Sequence, residues 1–435
     1  MRSLRPTLLA ALLGPILALV AAAAASAQSS SDFDGDGLAN LFDNCPFVAN
    51  ADQLDSSAPA NGTGDACECG DTQGDGRVDL VDSVVLRRAL SALAPGIDDP
   101  AKCSVVGGSM DCDGLDSARI RAALAGTASL EPVCRAEVGA GELPQRMAVA
   151  GDSITRGFAA SCTCNVGFAC LLECAFGGVE QPQYSWFNGS SSSVFDVRTR
   201  YRFFDPEIVA VDSAAASGAR MRGGSDSFAI QAGRILSQSP LPDFALVLLG
   251  GNDICSRDCA QPGHCASPLF TDQEWRDAVE LGLSALTAGL PDGAAIYLGS
   301  VPRVQDLYAA GMAKQSQESD VDCELVWAVA DVCRIATDSG TLNSETQSLR
   351  LAAIAERQQR YNEILVETAA AYTSNSNGQN PRGLRVVAEY AGLALPSVGT
   401  LAFGPDLING SDCFHPSIAG QNEIAELMWQ NSPVR

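Results

Sequence analysis

The sequence predicts an α/β domain, a parallel sheet with helices on both faces, preceded by a small acidic N-terminal module. Short apolar runs recur at 147–150, 208–211, 244–249, 295–301 and 384–388. Uninterrupted runs of that length are the pattern of strands covered on both faces. Longer helical periods separate them. One opens with a capping box, Thr271-x-x-Glu274, and carries Trp275, Val279, Leu283, Leu286 and Leu290 on one face; another carries Leu351, Ile354, Tyr361 and Leu365. Alternation of this kind builds a parallel sheet. The module is marked off by composition: residues 28–135 hold 18 acids against seven bases, with many acids two apart and glycines between them.

The 435-residue chain has a formal net charge of −24, with 46% hydrophobic and 18% charged residues. That is ample material for a core and speaks against wholesale disorder. It also argues against nucleic-acid and anionic-membrane binding, which rely on clustered positive charge. Residues 1–27 read as a signal peptide: Arg2 and Arg5, an apolar run from Leu8 to Val20, then Ala25-Ser26-Ala27. No later segment is apolar enough to span a bilayer. An exported chain meets an oxidising compartment, so its 16 cysteines are expected in disulfides, six of them before residue 135. Cys255, Cys259, His264 and Cys265 also offer zinc-ligand types, a rival that export disfavours.

Within the module, Asp32, Asp34, Asp36, Leu38, Asn40 and Asp43 fall at loop positions 1, 3, 5, 7, 9 and 12. A hard cation with six to eight oxygen ligands needs that spacing, so the ion is expected to be calcium. With Asn44-Cys45-Pro46 and Gly64-Asp65-Ala66-Cys67, residues 28–68 resemble a thrombospondin type 3 repeat. A second loop follows, with Asp71, Gln73, Asp75, Asp79 and Asp82 as candidate calcium ligands, and runs into a helix. It recurs 34 residues later, Asp79 mapping on Asp113 and Asp82-Ser83 on Asp116-Ser117. Residues 69–135 therefore resemble a dockerin-type calcium module, which implies a cohesin-like protein as partner. The second copy has Val105, Gly107 and Ser109 where the first has Asp71, Gln73 and Asp75, and is expected to have lost its ion.

In the larger part, residues 136–435, the first strand ends in Gly151-Asp152-Ser153-Ile154. Reactive groups of open α/β sheets collect at the carboxyl ends of strands. The chain has only two histidines, and a hydroxyl nucleophile needs a base of imidazole type. His264 lies in a cysteine-rich loop and reads as structural. His415 follows Asp412 by three residues, so a carboxylate on the same turn can fix its tautomer. Gly218 and Asn252, after the second and third strands, offer donors for an oxyanion.

Taken in order, Gly151-Asp152-Ser153-Ile154, Gly218, Gly251-Asn252-Asp253 and Asp412-x-x-His415 resemble the four blocks of the SGNH, or GDSL, hydrolases, and their phospholipase B-like branch most. The second block usually has Asn where Ser213 stands. The resemblance implies a flavodoxin-like three-layer α/β/α fold, with Ser153 as nucleophile, His415 as base and Asp412 as its orienting partner. It implies an oxyanion hole from the Ser153 and Gly218 amides and the Asn252 side chain, and no cofactor for catalysis. The expected activity is that of a secreted serine esterase or lipase on small-molecule or lipid esters, phospholipid or lysophospholipid among them. Two other readings stand beside it: a carbohydrate acetylesterase, or a calcium-dependent adhesion protein with a vestigial hydrolase domain.

Overall fold

The structure, a computed structural model, describes residues 34–38, 42–93, 97, 99–106, 112–130, 133–134, 143–166, 180–255, 269–389, 402–430 and 432–434. The signal-peptide segment, Asp32, Asn40, Cys259, His264 and Cys265 lie outside the described residues.

Five strands form one parallel sheet: β1 Arg146–Gly151, β2 Val209–Val211, β3 Phe244–Leu248, β4 Ala295–Leu298 and β5 Arg385–Ala388. Their order is β2-β1-β3-β4-β5, the flavodoxin-like order, whose switch point lies between β1 and β3. Met147–Ala150 and all of β3 and β4 are buried, as continuous apolar runs require. The edges depart from that pattern. Val209 is 43% exposed and Arg385 is exposed, because an edge strand lacks a neighbour on one side.

Helices Phe228–Leu236, Asp272–Gly289 and Gln347–Thr373 pack against one another as one layer. The expected capping box forms, with Thr271 N donating to Glu274 Oε2 at 3.0 Å and Glu274 N to Thr271 Oγ1 at 3.3 Å. Gly282 lets that helix approach closely, since a Cβ there would collide with the Phe228 ring. Trp275 stacks on Tyr361 at 4.1 Å. Helices Val197–Arg202 and Ile418–Gln430 pair through Tyr201 and Trp429 at 4.9 Å, and Tyr201 meets the sheet at Phe244.

The N-terminal repeat is seated on this second layer. Phe47 lies 5.4 Å from both Phe204 and Trp429, and Cys45, Cys67 and Val133 join the same hydrophobic core. Three disulfides hold the module: Cys45–Cys67, Cys69–Cys134 and Cys103–Cys112. Its internal repeat is visible in the helices Leu80–Leu90 and Gly114–Leu124. Each starts with an aspartate capping box, Asp79 with Asp82 and Asp113 with Asp116. Ser83 Oγ and Ser117 Oγ meet across the pair at 3.2 Å.

Candidate active site

β1 ends in a turn where a side chain on Gly151 would strike Thr155. Asp152 Oδ1 accepts from Ile154 N at 2.9 Å and Phe158 N donates to Ser153 O at 3.0 Å. This turn carries the Ser153 hydroxyl to the carboxyl end of the sheet. His415 arrives from a second turn, closed by the antiparallel bridge between Ile408 and Pro416. Ser153 Oγ and His415 Nε2 are 2.8 Å apart, and His415 Nδ1 lies 2.6 Å from Asp412 Oδ2. The other oxygen of Asp412 accepts from the amides of Phe414 at 2.9 Å and His415 at 3.0 Å. Burial alone would raise the Asp412 carboxyl, but the His415 charge and these hydrogen bonds hold it below the usual carboxylate range. It is therefore an acceptor at any working pH. The Phe158 ring lies 4.5 Å from the imidazole and Phe414 4.8 Å from it.

The donors predicted for an oxyanion line the same cleft as Ser153 and His415. Gly218 has φ +78°, the left-handed region that favours glycine, and nothing crowds the position of a Cβ. Among the described residues, the amides of Ser153 and Gly218 donate to no protein acceptor. One Nδ2–H of Asn252 is bound to Ala219 O at 3.0 Å; the other has only a long 3.4 Å contact with Asp152 Oδ2. Such a half-engaged amide can turn to a developing negative charge with little loss.

Three positioning residues escaped the sequence reading. Asn409 Oδ1 accepts from Ser411 N at 2.8 Å and Asp412 N at 3.0 Å, and its Nδ2 donates to His415 O at 3.1 Å. The signal was present: Asn-Gly-Ser-Asp is a turn sequence in which Asn bonds the backbone two residues on. Asp253 accepts from Met221 N at 2.7 Å and Arg222 N at 3.1 Å, fixing the loop that bears Gly218 to the short helix that bears Asn252. Gln231 clasps Gly151 through both its amide and its carbonyl, at 2.8 and 3.0 Å. Asp152 and Asp253 are both pushed up to about 6 by burial.

Disulfides frame the cleft. Cys255, at the end of the short helix Gly251–Cys255, pairs with Cys333, and Cys413, two residues before the histidine, pairs with Cys323. The bond to Cys333 removes Cys255 from the zinc reading. Cys413 takes φ +52°, a strained backbone for a side chain with a Cβ, which this covalent anchor helps to hold.

The candidate calcium ligands divide. Asp34, Asp36 and Asp43 bring carboxylate oxygens within 4.8 Å of one another. Three gathered oxygens of like charge suit a hard divalent cation. Leu38 sits at the same turn, its amide donating to Asp36 Oδ1 at 2.8 Å. Asp71, Gln73, Asp75, Asp79 and Asp82 do not converge in this way. Asp71 is occupied by the amides of Gly74, Asp75 and Gly76 and lies 3.8 Å from the Lys102 ammonium. Gln73 donates to Asp75 at 2.6 Å. Asp79 and Asp82 cap the helix, Asp82 accepting also from Thr72 N. In the second copy Asp116 accepts from Val106 N in the same manner, so the turn closes without the loop acids.

No curated protein matches the chain. Among the solved structures similar to it in part are two examples. One is 16% identical, covering 67% of this chain and 98% of its own, at a TM-score of 0.32. The other is an active-site mutant of a family two carbohydrate esterase from Clostridium thermocellum in complex with celluohexase. It is 12% identical, with 66% of this chain and 62% of the other covered, at a TM-score of 0.31. Neither likeness bears on the substrate. Residues 30–53 match the thrombospondin type 3 repeat. Residues 147–428 match the GDSL-like lipase/acylhydrolase, and with the parallel sheet and the cleft at its carboxyl end in view, the chain belongs to that family and is a carboxylic ester hydrolase.

Proposed function

We propose that residues 136–435 act as a secreted serine esterase or lipase through Ser153, His415 and Asp412. The observation that carries this reading is the continuous chain of short contacts from the Ser153 hydroxyl through both imidazole nitrogens to the Asp412 carboxylate. Ser153 Oγ attacks the ester carbonyl carbon while His415 Nε2 takes the hydroxyl proton. The negative charge that develops on the carbonyl oxygen is met by the Ser153 and Gly218 amides and by Asn252. The C–O bond breaks and the alcohol leaves with the proton from His415. Water then gives a proton to His415 and attacks the acyl-serine; the carboxylic acid departs and Ser153 regains its proton. Asp412 holds the imidazole in the tautomer whose Nε2 can accept, and stabilises it once charged.

Ser153→Ala is expected to abolish hydrolysis of a short p-nitrophenyl ester while the thermal unfolding midpoint stays that of the wild type. Undiminished turnover refutes the assignment.

Calcium belongs to this proposal as a structural ion of the N-terminal repeat, held by Asp34, Asp36 and Asp43 together with Asp32, Leu38 and Asn40. Hard oxygen donors and a loop of acids spaced two apart support it. No step of the ester chemistry passes through it. Export is part of the same reading, supported by the disulfides and by the leader-like start of the sequence. Among the described residues no helix is long and apolar enough to cross a membrane. Sequencing the exported protein is expected to find Gln28 at its N-terminus; a protein retained in the cytoplasm with Met1 in place refutes export.

A further inference from the structure

The cleft that contains the Ser153 hydroxyl encloses about 810 Å³, in the upper part of the range for small-molecule sites. An acetyl group would leave most of it empty. One wall is the helix Cys323–Ala330 with the turn after it, which lines the cleft with Leu325, Val326, Val329, Ala330 and Val332. Leu325 is 57% exposed and Val329 is 79% exposed, the most exposed large hydrophobic side chain among the described residues. Aliphatic groups left in water at such a place gain nothing for the fold.

The helix is turned so that this face cannot serve the core. Its core-facing side is made by Cys323 and Trp327, and Trp327 Nε1 donates to Asp412 O at 3.1 Å. Glu324, Ala328 and Asp331 line a separate polar groove. Both ends are tied to the reactive groups: Cys323 to Cys413 beside the histidine turn, Cys333 to Cys255 beside Asn252. Phe158 and Phe414 continue the apolar surface up to the imidazole. The aliphatic wall is thus held at fixed reach from the atom that would carry the acyl group.

The geometry points to a substrate whose acyl part is an extended aliphatic chain lying along Leu325, Val326, Val329 and Val332, with segment 322–333 setting the preferred chain length. This rests on the serine-esterase reading above. Eight helical residues span about 12 Å, room for a chain of roughly eight carbons with bonds near 1.5 Å.

The test compares kcat/KM for p-nitrophenyl acetate, butyrate and octanoate, below their aggregation limits, using the full disulfide-bonded chain. A chain covered on one side should gain about two-fold per methylene, half the effect of full burial, so octanoate is expected to exceed acetate on the order of 50-fold. Leu325→Ser combined with Val329→Ser should lower that ratio about ten-fold. Both side chains are largely exposed, so the fold is expected to survive, as circular dichroism and the unfolding midpoint will show. Val329→Leu should keep the ratio, and Glu324→Gln, facing the other groove, should not alter it. A wild-type preference for acetate, or a ratio indifferent to the double substitution, overturns the inference. Hydrolysis of none of the three esters overturns the esterase reading as well, whereas hydrolysis with a flat chain-length profile overturns this inference alone.

Discussion

Asn409 offers the sharpest test of how the histidine turn is built. The residue is 1% exposed, and its side chain supplies one acceptor to two amides and one donor to a carbonyl. Asn409→Ala removes all three bonds. The His415 carbonyl keeps a partner in Asn409 N at 2.9 Å, so the loss falls on the amides of Ser411 and Asp412. Each unsatisfied donor costs about 1–3 kcal/mol when water cannot reach it. The turn lines an open cleft, which admits some water, so about 2–4 kcal/mol in total is expected, a drop plainly visible in thermal unfolding. Catalysis should suffer beyond stability. The Asp412 amide is what Asn409 holds, and the Asp412 carboxylate in turn holds the imidazole; a displacement of the base by about 1 Å costs on the order of 100-fold in rate. The assay is kcat for a short p-nitrophenyl ester at a temperature where the variant is still folded, beside its unfolding midpoint. Wild-type values for both would refute the claim that this side chain organises the turn. Asn409-Gly410-Ser411 also fits the N-x-S pattern of a glycosylation acceptor, and a glycan on Asn409 would refute the claim too.

Asn252→Ala should reduce kcat on the order of 10²–10³-fold with little change in unfolding, as for loss of one oxyanion donor; an unchanged kcat removes Asn252 from that role. Asp152 titrates at about 6 in the folded chain against 3.8 ordinarily, because it is buried. The native state therefore keeps a proton that the unfolded chain gives up, and this stability is full below pH 4 and lost as pH rises through 6. Relative to Asp152→Asn, the wild type should lose up to about 3 kcal/mol between pH 4 and pH 7; a pH-independent difference between the two proteins contradicts the buried carboxyl. Chelation by EDTA should lower the unfolding midpoint of the wild type and leave that of Asp36→Ala unmoved, and a midpoint indifferent to EDTA in both would remove calcium from the N-terminal repeat.

The strands were legible because a sheet covered by helices writes itself as uninterrupted apolar runs, and Ser153 and Asn252 could be singled out because they follow the ends of two of those runs. Ser153 needed β1 to be found first, and His415 stood out because only one other histidine competes with it. What stayed hidden depends on contacts between distant parts of the chain. Asp152 and Asp253 look like ordinary turn acids until their burial is seen. Disulfide pairing has no local signature. The helix Cys323–Ala330 is too short to show a period, and its Leu325 and Val329 look like core residues although they face the cleft. The acids of the second loop follow calcium spacing, yet Asp79 and Asp82 serve as helix caps, a use that spacing cannot tell from ligation. Nothing in the sequence foretold that Phe47 would dock on Trp429.

The bonds Cys323–Cys413 and Cys255–Cys333 join residues 90 and 78 positions apart. Neither forms where glutathione keeps thiols reduced. No strand of the sheet carries a cysteine, whereas the wall, the histidine turn and the helix of Asn252 become one covalent unit only after oxidation. Protein made in a reducing cytosol is therefore expected to have its ester-binding half unmoored, and to be less active than protein from an oxidising host.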